Sequence, residues 1–312
     1  MSEGSLNRPV GMLGLGIMGA EIARNLLVDG VAVVGFDPDQ TRRNEAQDFG
    51  VETKDNCARV TEQCDFVLLS LPDSTALNQS VSEIVARTEL HHSDRILVEL
   101  STLDLETKLL NRDRLADVGI TLLDCPVSGT GAQAVNGDIA IYASGDEAAF
   151  ERCEAILNRF ARSVYFLGQF GQGIKMKLVA NLLVAIHNVA TAEAMTFGTS
   201  CGLDPDVLCK VIAAGAGSSR IFELRSPMMA DGIYEPPTMK LNVWQKDMEL
   251  IAKFAEEVGA PTPLFSATAP LYATALKNGL GEKDSAAVYS ALQDMVGEQA
   301  AVGCKKAVNY ND

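Results

Sequence analysis

Lys177 and Asn181 stand four residues apart in an apolar stretch, so on a helix they share one face. A lysine in such surroundings either extends its amine to solvent or is kept for chemistry. In the second case an amine whose pKa is lowered by desolvation can hold a carbonyl oxygen and exchange a proton with it. Upstream, Asp124-Cys125-Pro126-Val127-Ser128-Gly129-Thr130 sets a serine hydroxyl beside successive backbone N–H groups. That is a nest suited to a carboxylate, although a plain strand-to-loop turn would use the same residues. Near the N-terminus, Gly14-Leu15-Gly16-Ile17-Met18-Gly19 follows an apolar run from Val10 and opens an amphipathic one that Gly30 ends. The first glycine permits a tight turn, the second lets backbone approach a pyrophosphate, and the third lets helix pack on strand. Asp37 closes a second apolar run, 32–36, eighteen residues after Gly19. There it accepts ribose hydroxyls and selects NAD, or it simply initiates the turn at Pro38; Arg42 and Arg43 nearby leave NADP open.

Other chemistries lack residues. His91 and His92 lie in a polar stretch, and His187 is turned away from the Lys177–Asn181 face. No serine or cysteine occupies a nucleophile elbow. Seven cysteines without a C-x-x-C pair read as buried free thiols of a reduced compartment, with no metal site. A net charge of −15 argues against a nucleic-acid partner. The opening MSEGSLNRP has no apolar core for a signal peptide. The apolar stretch Leu178–Phe197 is interrupted by Asn181, His187, Asn188 and Glu193, which suits a helix buried in protein better than one in a membrane. The expectation is a soluble, cytoplasmic protein.

The elements that must position these residues alternate. Strands are expected at 10–13, 32–36, 66–69, 96–99 and 121–124, with helices after Gly16 and at 41–49, 74–85 and 105–117. Continuous apolar strands separated by helices imply a parallel sheet covered on both faces. Strands at 138–143 and 163–166, around a helix at 146–160, are expected to extend it. Asp37, Ser70-Leu71-Pro72, Ser101-Thr102 and Cys125–Gly129 then fall at the carboxyl ends of strands, on one crevice. After Gly168 strand signals stop. A helix from about 174 to 200 is followed by helices at 205–214, 220–229, 238–258, 264–278 and 285–298. The reading is an α/β chain: a doubly wound, Rossmann-type parallel sheet over residues 1–170, then an all-helical domain over 171–312 for substrate and oligomerisation.

Taken together, these clusters resemble the β-hydroxyacid dehydrogenase family. Gly14-Leu15-Gly16-Ile17-Met18-Gly19 is similar to its GLGxMG motif and Asp124-x-Pro126-Val127-Ser128-Gly129 to its DxPVSGG. Gly171-x-Gly173-x-x-x-Lys177-x-x-x-Asn181 resembles its catalytic segment, and Lys246-Asp247 a further pair. The resemblance implies that Lys177 is the general acid/base and that Asn181 orients substrate. Ser128 and Gly129 would bind the substrate carboxylate, with Thr130 and Asp247 on the substrate side. Leu71 and Pro72 would join the glycine turn and Asp37 on the cofactor, while Thr102 and Lys246 approach the nicotinamide. It also implies a homodimer or homotetramer.

The chain departs from the family in places. Thr130 replaces the second glycine of SGG, which either reshapes the nest or offers a hydroxyl to substrate. Lys177-Leu-Val-Ala-Asn181 lacks the histidine that the 6-phosphogluconate enzymes carry before the asparagine, and Lys177 itself argues against imine reductases. Arg220 stands where several members have an aromatic residue; it reads a second anionic or polyhydroxy group, or forms a surface ion pair. The expected function is hydride transfer between NAD(P) and a short 3-hydroxyacid or its semialdehyde or keto form. Alternatives are an NADPH-dependent reductase of the succinic semialdehyde or glyoxylate type, and a silent dinucleotide-binding regulator.

Overall fold

The structure, a computed structural model, describes residues 8–91 and 94–297. His92, Cys304 and the last residue of the helix expected at 285–298 lie outside the described residues, as does most of the N-terminal MSEGSLNRP stretch. The chain divides into two compact units between Lys177 and Leu178.

In the first unit, β1 (Val10–Leu13), β2 (Val33–Phe36), β3 (Glu52–Thr53), β4 (Phe66–Leu69), β5 (Ile96–Glu99) and β6 (Thr121–Asp124) form one sheet in the order β3-β2-β1-β4-β5-β6. All pairs are parallel. Adjacent side chains along the strands serve opposite cores, as the two-residue period demands. Met12 and Leu68 join Ile22 and Leu26 of α1 (Ile17–Val28) and Phe150 of α7 (Glu147–Leu157). Leu13 and Leu69 join Val60 of α3 (Cys57–Gln63), Leu77 and Val81 of α4 (Ser74–Val85), and Leu115 of α5 (Leu105–Ala116). Helices α2 (Gln40–Asp48), α3, α4, α5 and α7 each start on an Asp or Asn whose side chain accepts a first-turn N–H. The chain runs outward from β1 to β3 and then returns to β4, so the switch point lies between β1 and β4.

The expected extension of this sheet is not what forms. β7 (Val127–Ser128), β8 (Ala140–Ala143) and β9 (Ser163–Phe166) make a separate three-stranded sheet, with α6 (Gly131–Val135) between β7 and β8. β7 is antiparallel to β8, and β6 is bridged to this sheet by an isolated antiparallel pair, Asp124 and Ser144. A segment running against β6 cannot continue a parallel ladder. The alternating burial of β8 is that of a strand covered on one face.

The second unit is helical. It holds most of α8 (Gln172–Ser200), then α9 (Pro205–Ala213), α10 (Arg220–Asp231), α11 (Leu241–Glu257), α12 (Pro263–Lys277) and a helix at 288–297. α8 is long and apolar enough, by length and composition, to cross a membrane. Its two asparagines nevertheless find partners within the protein. Asn188 Nδ2 donates to the Tyr272 hydroxyl at 2.8 Å and to the Ser285 carbonyl at 3.0 Å, and Asn181 is bonded likewise. That is the habit of a core helix in a soluble protein.

Candidate active site

Gly14, directly after β1, has φ +90°, and a Cβ there would stand 2.1 Å from the Ser70 carbonyl oxygen. A Cβ on Gly19 would stand 2.0 Å from the Gly14 carbonyl oxygen. The turn is therefore closed tightly against the end of β4, and only glycine fits. Gly16 differs: a Cβ there meets nothing nearer than the Arg42 guanidinium tip at 3.4 Å. No side chain caps α1, and its first turn carries no acidic residue. Free N–H groups, an open face above Gly16 and the sheet's switch point together fit the pyrophosphate of a dinucleotide. Asp37, 3% exposed, ends beside the same turn. Its carboxylate accepts the N–H of Leu15 at 2.8 Å and of Asp39 at 2.9 Å, with Arg42 3.6 Å away. It thus braces the glycine turn.

The Ser128 loop is brought against this turn within the same unit. A Cβ on Gly131 would lie 2.4 Å from Ile17 Cγ2, and Asn25 of α1 donates to the Ala134 carbonyl at 2.7 Å. Ser128 is half-buried, and Gly129 adopts φ +148° against Ile139. Thr130 needs no left-handed backbone. It is extended, at φ −107°, and its hydroxyl caps α6 in a reciprocal capping box with Gln133. The departure from the family glycine thus starts a helix.

Thr102 lies half-buried just beyond β5. The N–H of Leu71 donates to Ser101 Oγ at 2.7 Å, which ties the loops after β4 and β5 together. Lys177, 7% exposed, lies in the second turn of α8. The start of that helix is fastened to the strand ends: Gly173 N–H donates to Ser144 Oγ at 2.9 Å and Ile174 N–H to Asp124 Oδ2 at 2.8 Å. Gly173 permits the approach, because a Cβ would stand 2.3 Å from the Tyr142 carbonyl oxygen.

In the second unit, Asn181 Nδ2 donates to Asp247 Oδ2 at 2.8 Å, both residues being buried. Lys246 is half-buried beside Asp247 on α11. Arg220 opens α10 exposed, 3.7 Å from Glu223.

Sequence reasoning passed over Glu99, Lys108 and Ser144. All three are fully buried, and Lys108 Nζ lies 2.6 Å from Glu99 Oε2 and 2.6 Å from Asp124 Oδ1. Burial opposes its charge, yet the Asp124 and Glu99 carboxylates hold the ammonium above the usual lysine range. The available signal was the buried stripe of α5, Lys108, Asn111 and Leu115, where a lysine takes an apolar position.

A doubly wound sheet with an uncapped glycine turn at its switch point is the framework of a dinucleotide-binding protein. Residues 9–168 match the family described as the NAD binding domain of 6-phosphogluconate dehydrogenase. Residues 171–292 match that described as NAD-binding of NADP-dependent 3-hydroxyisobutyrate dehydrogenase. The chain is 32% identical to glyoxylate/succinic semialdehyde reductase 2 of Arabidopsis thaliana, over 91% of this chain and 79% of that one. It is 32% identical to L-threonate dehydrogenase of Cupriavidus necator, over 91% and 95%. A solved 3-hydroxyisobutyrate dehydrogenase of Mycobacterium tuberculosis, with L-serine, is similar at TM-score 0.82 and 26% identity, covering 91% of this chain and 99% of that one. The chain belongs to the β-hydroxyacid dehydrogenase family, whose enzymes act on CH–OH groups with NAD(P).

Proposed function

We propose that this chain interconverts a short β-hydroxyacid and its aldehyde or keto form, with Lys177 as the residue that moves the proton. The observation that carries the reading is the setting of Lys177. It is an almost wholly buried lysine one turn beyond a helix start pinned to the strand end that leads into the Ser128 loop. Bound NAD(P) supplies or accepts the hydride. In oxidation the neutral Nζ of Lys177 takes the proton of the substrate hydroxyl; in reduction the ammonium returns it. Ser128 and Gly129, with Thr130 beside them, hold the substrate carboxylate. Asn181, its amide fixed by Asp247, shares the Lys177 face of α8 and orients the reacting oxygen. Gly14–Gly19, Asp37, Leu71 and Pro72 hold the dinucleotide, and Thr102 and Lys246 serve its nicotinamide end. Arg220 reads the distal end of the substrate. The reading includes a homo-oligomer working in the cytoplasm.

A second direction is favoured by the Arabidopsis relative, named a reductase of glyoxylate and succinic semialdehyde. A panel of 3-hydroxyisobutyrate, glycerate, threonate, serine and 4-hydroxybutyrate, with glyoxylate and succinic semialdehyde in reverse, separates the two when each is run with both cofactors. Lys177→Ala is expected to abolish turnover while NADH and NADPH affinities stay within about twofold of wild type. Loss of dinucleotide binding would move Lys177 to the cofactor site. Silence across the panel by the unaltered protein would restore the regulator.

A further inference from the structure

A tripod of charge lies under the loops of the first unit. The Lys108 ammonium donates to the Ser101 carbonyl at 2.9 Å and to Asp124 Oδ1 at 2.6 Å, and it forms an ion pair with Glu99 Oε2 at 2.6 Å. From each acceptor the bonding continues. Glu99 Oε1 accepts the N–H of Ser101 at 2.9 Å, and Ser101 Oγ accepts the N–H of Leu71. Asp124 Oδ2 accepts the Ser144 hydroxyl at 3.1 Å and the N–H of Ile174, while Ser144 Oγ accepts the N–H of Gly173. One unbroken network thus joins the loops after β4 and β5, the last residue of β6 and Ser144 after β8 to the first turn of α8.

We infer that Glu99, Lys108, Asp124 and Ser144 are positioning residues, which set the start of α8, and with it Lys177, in register with the Ser101–Thr102 and Ser128–Gly129 loops. This rests on Lys177 being the acid/base. Stability alone does not account for the cluster. Three buried charges pay a desolvation cost that apolar side chains of the same volume avoid, and one ammonium cannot neutralise two carboxylates. The remaining negative charge is met by N–H groups, those of Ser101 and of the α8 N-terminus, where a carboxylate is stabilised by the helix dipole. What the arrangement supplies that an apolar core does not is fixed distance and direction between these strand ends, their loops and a helix. Displacement of a reacting group by about 1 Å is enough to cost on the order of a hundredfold in rate.

Ser144→Ala removes one hydroxyl and is the mild test. Lys108→Met with Glu99→Gln dismantles the tripod while keeping the net charge, and Cys153→Ala, in the neighbouring apolar core, is the control for lost stability. Hydrogen exchange of the cofactor-free protein should show the peptide covering 172–178 exchanging about tenfold faster in Ser144→Ala, with the peptide covering 10–28 unchanged. Reduction of glyoxylate and succinic semialdehyde should then show kcat lowered on the order of tenfold, with the affinities for NADH and NADPH unchanged; Cys153→Ala should lower the melting temperature and leave kcat alone. Unchanged exchange at 172–178, or faster exchange with wild-type kcat, overturns the inference. So does a kcat loss that merely follows the melting temperature as in Cys153→Ala. Lys177→Ala is run alongside: if it still turns over, the acid/base assignment fails, whatever Ser144→Ala does to the helix start.

Discussion

Gly16→Ala separates the fold of the glycine turn from its use. Gly16 has φ −71° and ψ −169°, which alanine adopts without strain, and the added methyl meets only the flexible Arg42 tip at 3.4 Å. Restricting the unfolded chain stabilises by about 0.4–1 kcal/mol. Alanine is a poorer N-cap than glycine, which takes back about 0.5–1 kcal/mol. The sum lies near zero, so the melting temperature should move by less than about 4 °C. Binding should not be spared. The methyl would occupy the open space beside Gly16, next to the uncapped start of α1, where phosphate oxygens would accept N–H bonds. Losing one hydrogen bond to a charged group removes about 1.5–3 kcal/mol, or about 10- to 150-fold in Kd. Isothermal titration with NADH and NADPH, beside a thermal melt, reads both quantities on one sample. A Kd within about twofold of wild type refutes the placement of the pyrophosphate. Gly19→Ala is the contrast, because its Cβ would meet backbone at 2.0 Å and it should lose stability and binding together.

Other expectations follow from the same geometry. Arg220→Ala should change stability by no more than about 0.5 kcal/mol, since its partner Glu223 is exposed, but should shift preference among 3-hydroxyacids away from those with a second anionic or polyhydroxy group. Unchanged preference across the panel leaves Arg220 as a surface partner. With iodoacetamide at pH 8, mass spectrometry should find the exposed Cys201 alkylated and Cys57, Cys64 and Cys153 spared. Burial pushes those three thiols up to about 12, leaving on the order of one thiolate in ten thousand. Asp284 is held below the ordinary carboxylate value: burial opposes this, but Arg225 and N–H donors from Ala286 and Met239 outweigh it. A depressed pKa gives stability that is present above the unfolded value and lost as pH falls through the folded one. Asp284→Asn should therefore melt lower than wild type at pH 7, and the gap should close only below about pH 3.8. A gap independent of pH would assign the loss to packing.

Most of the fold was legible because its elements are strongly patterned. The strands at 10–13, 66–69, 96–99 and 121–124 are short apolar runs between helices, and the long helix and its successors match what forms. Helix α3 and strand β3 escaped notice. Strand β3 is two residues long, and α3 buries Cys57, Ala58, Val60 and Thr61, too short a stripe to show a period. The second sheet was misjudged because an apolar strand does not announce its direction; that depends on the connection through α6, which returns β8 antiparallel to β7.

The site divides along the same physical line. Gly14, Gly16 and Gly19 were legible because their demands on backbone are local, made within six residues of one another. Lys177 and Asn181 were legible as a pair because a helix fixes their relation, though each one's surroundings are set by residues far off in sequence. Lys108 shows the limit. In sequence it is one lysine on a charged helix, flanked by Thr107 and Leu109, and solvent is the natural reading. Its partners Glu99 and Asp124 end neighbouring parallel strands, and a parallel pair is joined only through the intervening helix. Here that helix is α5, which carries Lys108 on its buried stripe, so one β-α-β unit presents an acid from each strand to a base on the crossover. An acid closing each of two successive apolar strands, with a base on the apolar stripe between them, is a pattern that sequence does display. Its meaning depends on the two strands being neighbours, which the order β4-β5-β6 supplies.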